Sequence, residues 1–171
     1  MFDAILVGIN TVLKDNPALN PACKTKPWTK IILDGRLRIP LSAKVFQDFH
    51  TVVATTVKAP VSKIKQLENK GVKVLVCPAD TQGRIRWNPL LAALGKMQVT
   101  NLLIEGGAQV VGSALKDKVV DRMLTVIAPK ILGDQRALSS IDGLNIGNVN
   151  RAVRLDVDQV CQIGPDWVFE G

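Results

Sequence analysis

The chain has 171 residues, 47% of them hydrophobic and 22% charged, which suits one globular domain with a substantial core and argues against disorder. A net charge of +7 favours anionic partners, yet the basic residues are scattered, aromatic residues are only 4% and no nucleic-acid motif occurs, so a phosphorylated small molecule is preferred to DNA or RNA. No apolar run reaches bilayer length, Met1-Phe2-Asp3 opens no signal peptide, Cys23, Cys77 and Cys161 lack metal-ligand spacing and His50 is the sole histidine, so no membrane span, disulfide framework or metal site is expected, and the location expected is cytoplasmic.

Ala4-Ile5-Leu6-Val7-Gly8 reads as a buried strand that begins almost at the first residue. Asn10 to Lys14 predicts a short helix, and Asp15-Asn16-Pro17-Ala18-Leu19-Asn20-Pro21 is turn chemistry throughout. Trp28 to Leu33 reads as the next strand, followed by the turn Asp34-Gly35-Arg36-Leu37-Arg38-Ile39-Pro40 with its two arginines. Thr51 to Thr56 has the β-branched content of a strand. Pro60 then sits at a helix start, with Val61, Ile64 and Leu67 on one face and Gly71 at the stop. Val72 to Cys77 predicts another strand, and Asn88-Pro89 predicts an N-cap and first helical residue ahead of the stripe Leu90, Leu91, Leu94 and Met97.

The segment from Thr100 to Leu115 predicts strand, tight turn and helix in succession. Gly106 and Gly107 remove the side chains that would keep a ligand off the backbone, and the free N–H groups of the new helix suit a phosphate. Glu105, at the carboxyl end of that strand, lies where open α/β sheets place their ligands. A glycine pair at such a junction also serves close packing alone, and the pattern is not Gly-x-Gly-x-x-Gly, so the elbow by itself leaves both readings open. Beyond Lys116 the texture changes: Arg122 to Pro129 reads as a strand, Arg151 to Ile163 alternates in places, and Asp166 to Glu170 follows a Gly164-Pro165 turn. Strands alternate with helices at first and then follow one another, which predicts an α/β domain with a largely parallel sheet extended at one edge by antiparallel strands, a single mixed sheet.

Asp3 to Leu19, Ile32 to Pro40, the Glu105-Gly106-Gly107 elbow, and Val120 to Gly133 together resemble the riboflavin-biosynthesis reductase family. This family comprises the reductase half of the bifunctional deaminase/reductase and the separate archaeal and fungal enzyme. The resemblance implies a dihydrofolate-reductase-like three-layer fold, with a mostly parallel central sheet, helices on both faces and antiparallel C-terminal strands. It implies reduction of a ribosylamino-pyrimidine 5′-phosphate to its ribitylamino counterpart with hydride from NADPH, no metal, and a homodimer that binds neither nucleic acid nor membrane.

Position by position, the resemblance implies that Thr11 and Asp15 bind the cofactor and that Leu19 contacts substrate. Leu33, Asp34, Gly35 and Arg36 match the turn that holds the adenosine end of NADPH. Gly106, Gly107, Ala108 and Gln109 match the turn that holds its pyrophosphate. Glu105 matches a substrate-contacting acid and is the catalytic candidate, with acid/base assistance only if it is buried. Arginine chemistry agrees with a 2′-phosphate at Arg36, although a solvated surface would also place Arg36 and Arg38 there, and Asp15 is good turn chemistry without a ligand. The family's strand and helix ahead of the first block, with a Ser-x-Asp-Gly-Lys-like segment, are expected to be lacking from residues 1–171. Ala22 stands where many members carry a phosphate-contacting arginine, with Lys24 and Lys26 as nearby replacements. Two further readings follow: a remnant that binds NADPH without turnover, and a dihydrofolate-reductase-like enzyme with another substrate.

Overall fold

The computed structural model describes residues 2–21, 28–47 and 50–171. The chain begins β1 (Ala4–Gly8), α1 (Ile9–Asp15), β2 (Thr29–Leu33), β3 (Thr51–Thr55), α2 (Val61–Glu68), β4 (Lys73–Val76). It continues α3 (Trp87–Lys96), β5 (Leu102–Ile104), α4 (Ala108–Lys116), β6 (Leu124–Ile127), β7 (Gln159–Ile163) and β8 (Asp166–Glu170). Short 3-10 turns at Lys44–Phe46 and Val149–Arg151 were not signalled by apolar periodicity.

β1 to β5 form one sheet in the order β4-β3-β2-β1-β5, and every pairing in it is parallel. The apolar run of β1 and the Val52-Val53-Ala54 centre of β3 are the sequence counterpart, because a parallel strand is covered on both faces and every residue of these two is buried. On one face Val7, Ile32 and Val53 pack against Ile9 and Val12 of α1 and Leu67 of α2. On the other, Ala4, Leu6, Ile31 and Val52 pack against Trp87, Leu90 and Leu94 of α3 and Ala114 of α4. The expected three layers, with helices on both faces of a parallel sheet, are therefore present.

Two expectations need correction. α3 starts at Trp87 with Arg86 as its N-cap residue, ahead of the expected Asn88-Pro89 start. Pro89 still lies in the first turn, where its missing N–H costs no intrahelical bond. Trp87 sets the boundary: it is 3% exposed and its Nε1 donates to Ser113 Oγ at 3.1 Å, a tertiary anchor that local caps do not encode. The second correction concerns the late strands. They do not extend the central sheet but form an antiparallel sheet of their own, in the order β6-β8-β7. The segment between β6 and β7 touches α4, where the Asp142 N–H donates to the Ala108 carbonyl at 3.0 Å and the Asp142 backbone fills the space a side chain at Gly112 would need. No helix among the described residues is long and apolar enough to cross a membrane.

Candidate functional site

In a parallel sheet the ligand crevice opens where successive crossovers leave in opposite directions. Here β1 is followed by a crossover to β2 on one side, while the chain leaving β4 returns through α3 to β5 on the other side of β1. The switch point thus lies between the carboxyl ends of β1 and β5, at Gly8 and Glu105.

Gly8 closes β1, and a Cβ there would lie 2.8 Å from Val110 Cγ2, so only glycine lets α4 rest against the strand end. The Glu105 N–H continues the ladder to the Leu6 carbonyl at 2.9 Å. Gly106 and Gly107 then turn the chain with φ of 68° and 76°, a region costly for side-chain-bearing residues. The Val110 and Val111 N–H groups both donate to the Gly107 carbonyl, at 2.8 and 3.1 Å, which closes the first turn of α4. As a result the N–H groups of Gly106, Gly107, Ala108 and Gln109 have no acceptor among the described residues. They sit at the positive end of a helix, with Gly106, Gly107 and Gln109 exposed, which is a donor arrangement suited to phosphate oxygens.

The structure brings Thr11 to the same place. A Cβ built on either Gly106 or Gly107 would lie 3.8 Å from Thr11 Oγ1, so the hydroxyl overlooks the glycine turn. Asp15, four residues on, shares that face of α1 and lies one helical turn farther from the crevice, exposed at the helix end. Leu19 adopts a left-handed φ of 53°, packs half-buried against the α1 and α2 core and accepts a 2.6 Å bond from Trp28 Nε1 through its carbonyl. Glu105 is exposed and has no side-chain partner among the described residues. Ala22, Lys24 and Lys26 lie outside the described residues.

The second half of the site is the turn after β2. Asp34 is wholly buried, and its carboxylate points inward: Oδ2 accepts from the Ile39 N–H at 2.7 Å, and its carbonyl accepts from the Leu37 N–H at 3.1 Å. Leu37 and Ile39 are buried in the core while Arg36 and Arg38 are exposed, so the turn alternates anchor and cation. Arg38 Nη2 donates to Asn10 Oδ1 in the first turn of α1 at 2.8 Å, whereas Arg36 has no partner among the described residues. Leu33 and Gly35 are half-buried, and a Cβ on Gly35 would lie 3.4 Å from the Gly83 carbonyl and 3.5 Å from Thr56 Cγ2. Asp34 therefore braces the turn from inside, while the Arg36 side chain is exposed.

Sequence reasoning missed Gly8, Asn10 and Thr56. Gly8 had a signal, a glycine closing an apolar strand beside a helix. Asn10 and Thr56 had none, because their roles come from contacts with residues 28 and 21 positions away. A cavity of about 520 Å³ between α4 and the strand-poor segment, lined by Leu115, Met123, Ile141, Leu144, Val149 and Val153 among others, includes none of the residues expected to hold cofactor or substrate. Burial pushes the Cys77 thiol up, which keeps it protonated, and Cys161 is also a free thiol.

Comparison with known proteins identifies the family. The family model described as the RibD C-terminal domain matches residues 1–169. The chain is 40% identical to the riboflavin biosynthesis protein RibD of Actinobacillus pleuropneumoniae over 99% of its own length and 46% of that protein. It is 32% identical to the 2,5-diamino-6-ribosylamino-4(3H)-pyrimidinone 5′-phosphate reductase of Methanothermobacter thermautotrophicus, over 98% of this chain and 78% of that one. The solved structure of Acinetobacter baumannii RibD superposes with a TM-score of 0.81 at 24% identity, over 99% of this chain and 46% of that chain, which shows a shared fold. The chain spans less than half the length of the RibD relatives it matches. Matched by the family model over nearly its whole length, the chain belongs to the RibD C-terminal domain family.

Proposed function

We propose that this chain is an NADPH-dependent reductase of riboflavin biosynthesis, a cytoplasmic enzyme that converts a ribosylamino-pyrimidine 5′-phosphate to its ribitylamino product. The observation that carries the reading is the run of unpaired N–H groups from Gly106 to Gln109 at the β1/β5 switch point, overlooked by Thr11. The residues present fit a dinucleotide. Gly106, Gly107, Ala108 and Gln109 would hold the pyrophosphate with Thr11, with Asp15 a turn beyond. The turn of Leu33, Asp34, Gly35 and Arg36 would hold the adenosine end, with Arg36 on the 2′-phosphate. β2 lies two strand spacings from β5, about 10 Å, so both turns reach one extended ligand.

When bound, NADPH supplies the hydride that reduces C1′ of the sugar in its ring-opened imine form, the exocyclic nitrogen taking up a proton. The chain supplies orientation and electrostatics. Glu105, exposed at the end of β5 beside the pyrophosphate turn, is the substrate-holding carboxylate, and Leu19 offers an apolar contact on the segment after α1. The names of the relatives, a pyrimidinone 5′-phosphate reductase among them, support this substrate class.

Thermal melts with NADPH and NADH test the reading. A ligand at a hundred times its Kd stabilises by about 2.7 kcal/mol, so NADPH is expected to raise the melting temperature clearly and NADH far less. Equal or absent shifts would count against it. Single-turnover absorbance with the deaminated and undeaminated pyrimidines then reads turnover. Oxidation of NADPH is expected with wild type and a large loss of rate with Glu105→Gln, while binding without oxidation would leave the non-catalytic remnant as the better account.

A further inference from the structure

The geometry points to Lys58 as a second cation for the 2′-phosphate, acting beside Arg36 to make this chain select the phosphorylated cofactor; the inference rests on the NADPH reading. Lys58 follows β3, whose carboxyl end neighbours that of β2 in the sheet. The two turns are joined through one buried hydroxyl. Thr56 Oγ1 donates to the Gly35 carbonyl at 2.7 Å and accepts from the Lys58 N–H at 3.2 Å, so the backbone of Lys58 is fixed relative to Gly35, the residue preceding Arg36. The Ala59 N–H closes the same turn onto the Thr56 carbonyl at 3.0 Å, with Ala59 8% exposed.

The ammonium end is also placed. A Cβ added at Gly83 would lie 3.4 Å from Lys58 Nζ, and the Gly83 carbonyl is the atom nearest to where a Cβ on Gly35 would fall. Lys58 Nζ thus rests over the glycine that packs against the Arg36 turn. Among the described residues no carboxylate pairs with either cation. Asp80, in the adjoining loop, is engaged by Arg84 at 2.9 Å, Asp34 is turned inward to Ile39, and neither Lys58 nor Arg36 has an ion-pair partner among the described residues. Two cations without an ion-pair partner on neighbouring turns at the carboxyl edge of a parallel sheet add their fields there and favour an anion. A phosphate monoester on the adenosine ribose supplies that anion.

Isothermal titration with 2′,5′-ADP and 5′-ADP reads the adenosine end without the nicotinamide or turnover. Wild type is expected to prefer 2′,5′-ADP, Lys58→Met to lose about tenfold of affinity for 2′,5′-ADP and none for 5′-ADP, and Lys58→Arg to retain the preference. Lys58 is exposed, so Lys58→Met should melt with wild type. If wild type discriminates and Lys58→Met discriminates equally well, or weakens both ligands alike, Lys58 is a solvated surface lysine and the inference falls alone. If wild type shows no preference, the NADPH reading falls and takes this inference with it.

Discussion

Asp34 combines the features that make a single residue decisive: a carboxylate with no exposed surface, one oxygen bonded to the Ile39 N–H, and the other without a partner among the described residues. A buried carboxylate is costly, so its retention points to the shape it imposes. It holds a turn in which Leu37 is forced to a φ of 50° while its side chain is buried, and this conformation sets the outward direction of Arg36 and Arg38. Replacing Asp34 by Ala leaves the Ile39 N–H buried and unpaired. The expected loss is about 1–3 kcal/mol, a fall in melting temperature of several degrees, with faster exchange at the Ile39 amide and weaker NADPH binding. Asp34→Asn keeps an acceptor and should recover most of the amide protection. An unchanged Ile39 exchange rate in Asp34→Ala would show that the brace is not what holds the turn. The family resemblance puts Asp34 in the turn for the adenosine end, but the inward direction of its side chain is set by the Ile39 N–H five residues on and is not legible in the chain.

At the scale of elements, the loop between β4 and α3 matters more than its lack of regular structure suggests. Asp80 Oδ1 accepts from the Gln82 and Arg84 N–H groups at 2.9 and 2.8 Å, and Oδ2 accepts from Arg84 Nε at 2.9 Å. This closed loop carries Gly83, which packs against Gly35. Burial works against the Asp80 charge, but the backbone and side-chain bonds from Arg84, its positive charge and the Gln82 bond outweigh it and hold the carboxyl below its ordinary value. The folded form thus binds the proton less readily than the unfolded chain. The stabilisation is complete above the unfolded value of about 3.9 and is lost as pH falls through the folded one. Melts from pH 6 to pH 3 should show Asp80→Asn less stable than wild type at pH 6, with the gap closing toward pH 3. A constant gap across that range would remove the carboxylate charge as the cause. The elements flanking this loop show what is legible locally and what is not. β1, β3 and β8 fall within a residue of where apolar runs and turn signals predict them, whereas α3 begins at Trp87 because an indole finds Ser113 across the fold.

At the scale of the molecule, the parallel half was readable because each strand carries its own signal and each crossover has helical length. The switch point, and with it the meeting of Thr11 and Gly106, could be placed only by strand order. The antiparallel half was misjudged as an edge of the same sheet, since alternation marks strands without naming their partners. That half presents apolar side chains on both faces: Leu124, Val126 and Ile163 are 61%, 56% and 65% exposed on one, and Ile127, Val160 and Trp167 are 49%, 48% and 46% exposed on the other. A three-stranded sheet so uncovered calls for a partner surface, and a second copy of the chain is the occupant we expect. A stable two-fold interface buries about 800 Å² per partner, and one face of this sheet together with the exposed Ile131, Leu132 and Leu138 offers apolar side chains to it. Sedimentation at micromolar concentration should give the mass of two chains, and Trp167→Glu, which places a charge at the middle of one face without touching the parallel sheet, should give one. Its NADPH-induced melting shift should persist, because the cofactor turns lie wholly on the parallel half. Wild type sedimenting as a single chain would remove the dimer, and loss of the NADPH shift in Trp167→Glu would mean that the two halves cooperate in holding the cofactor.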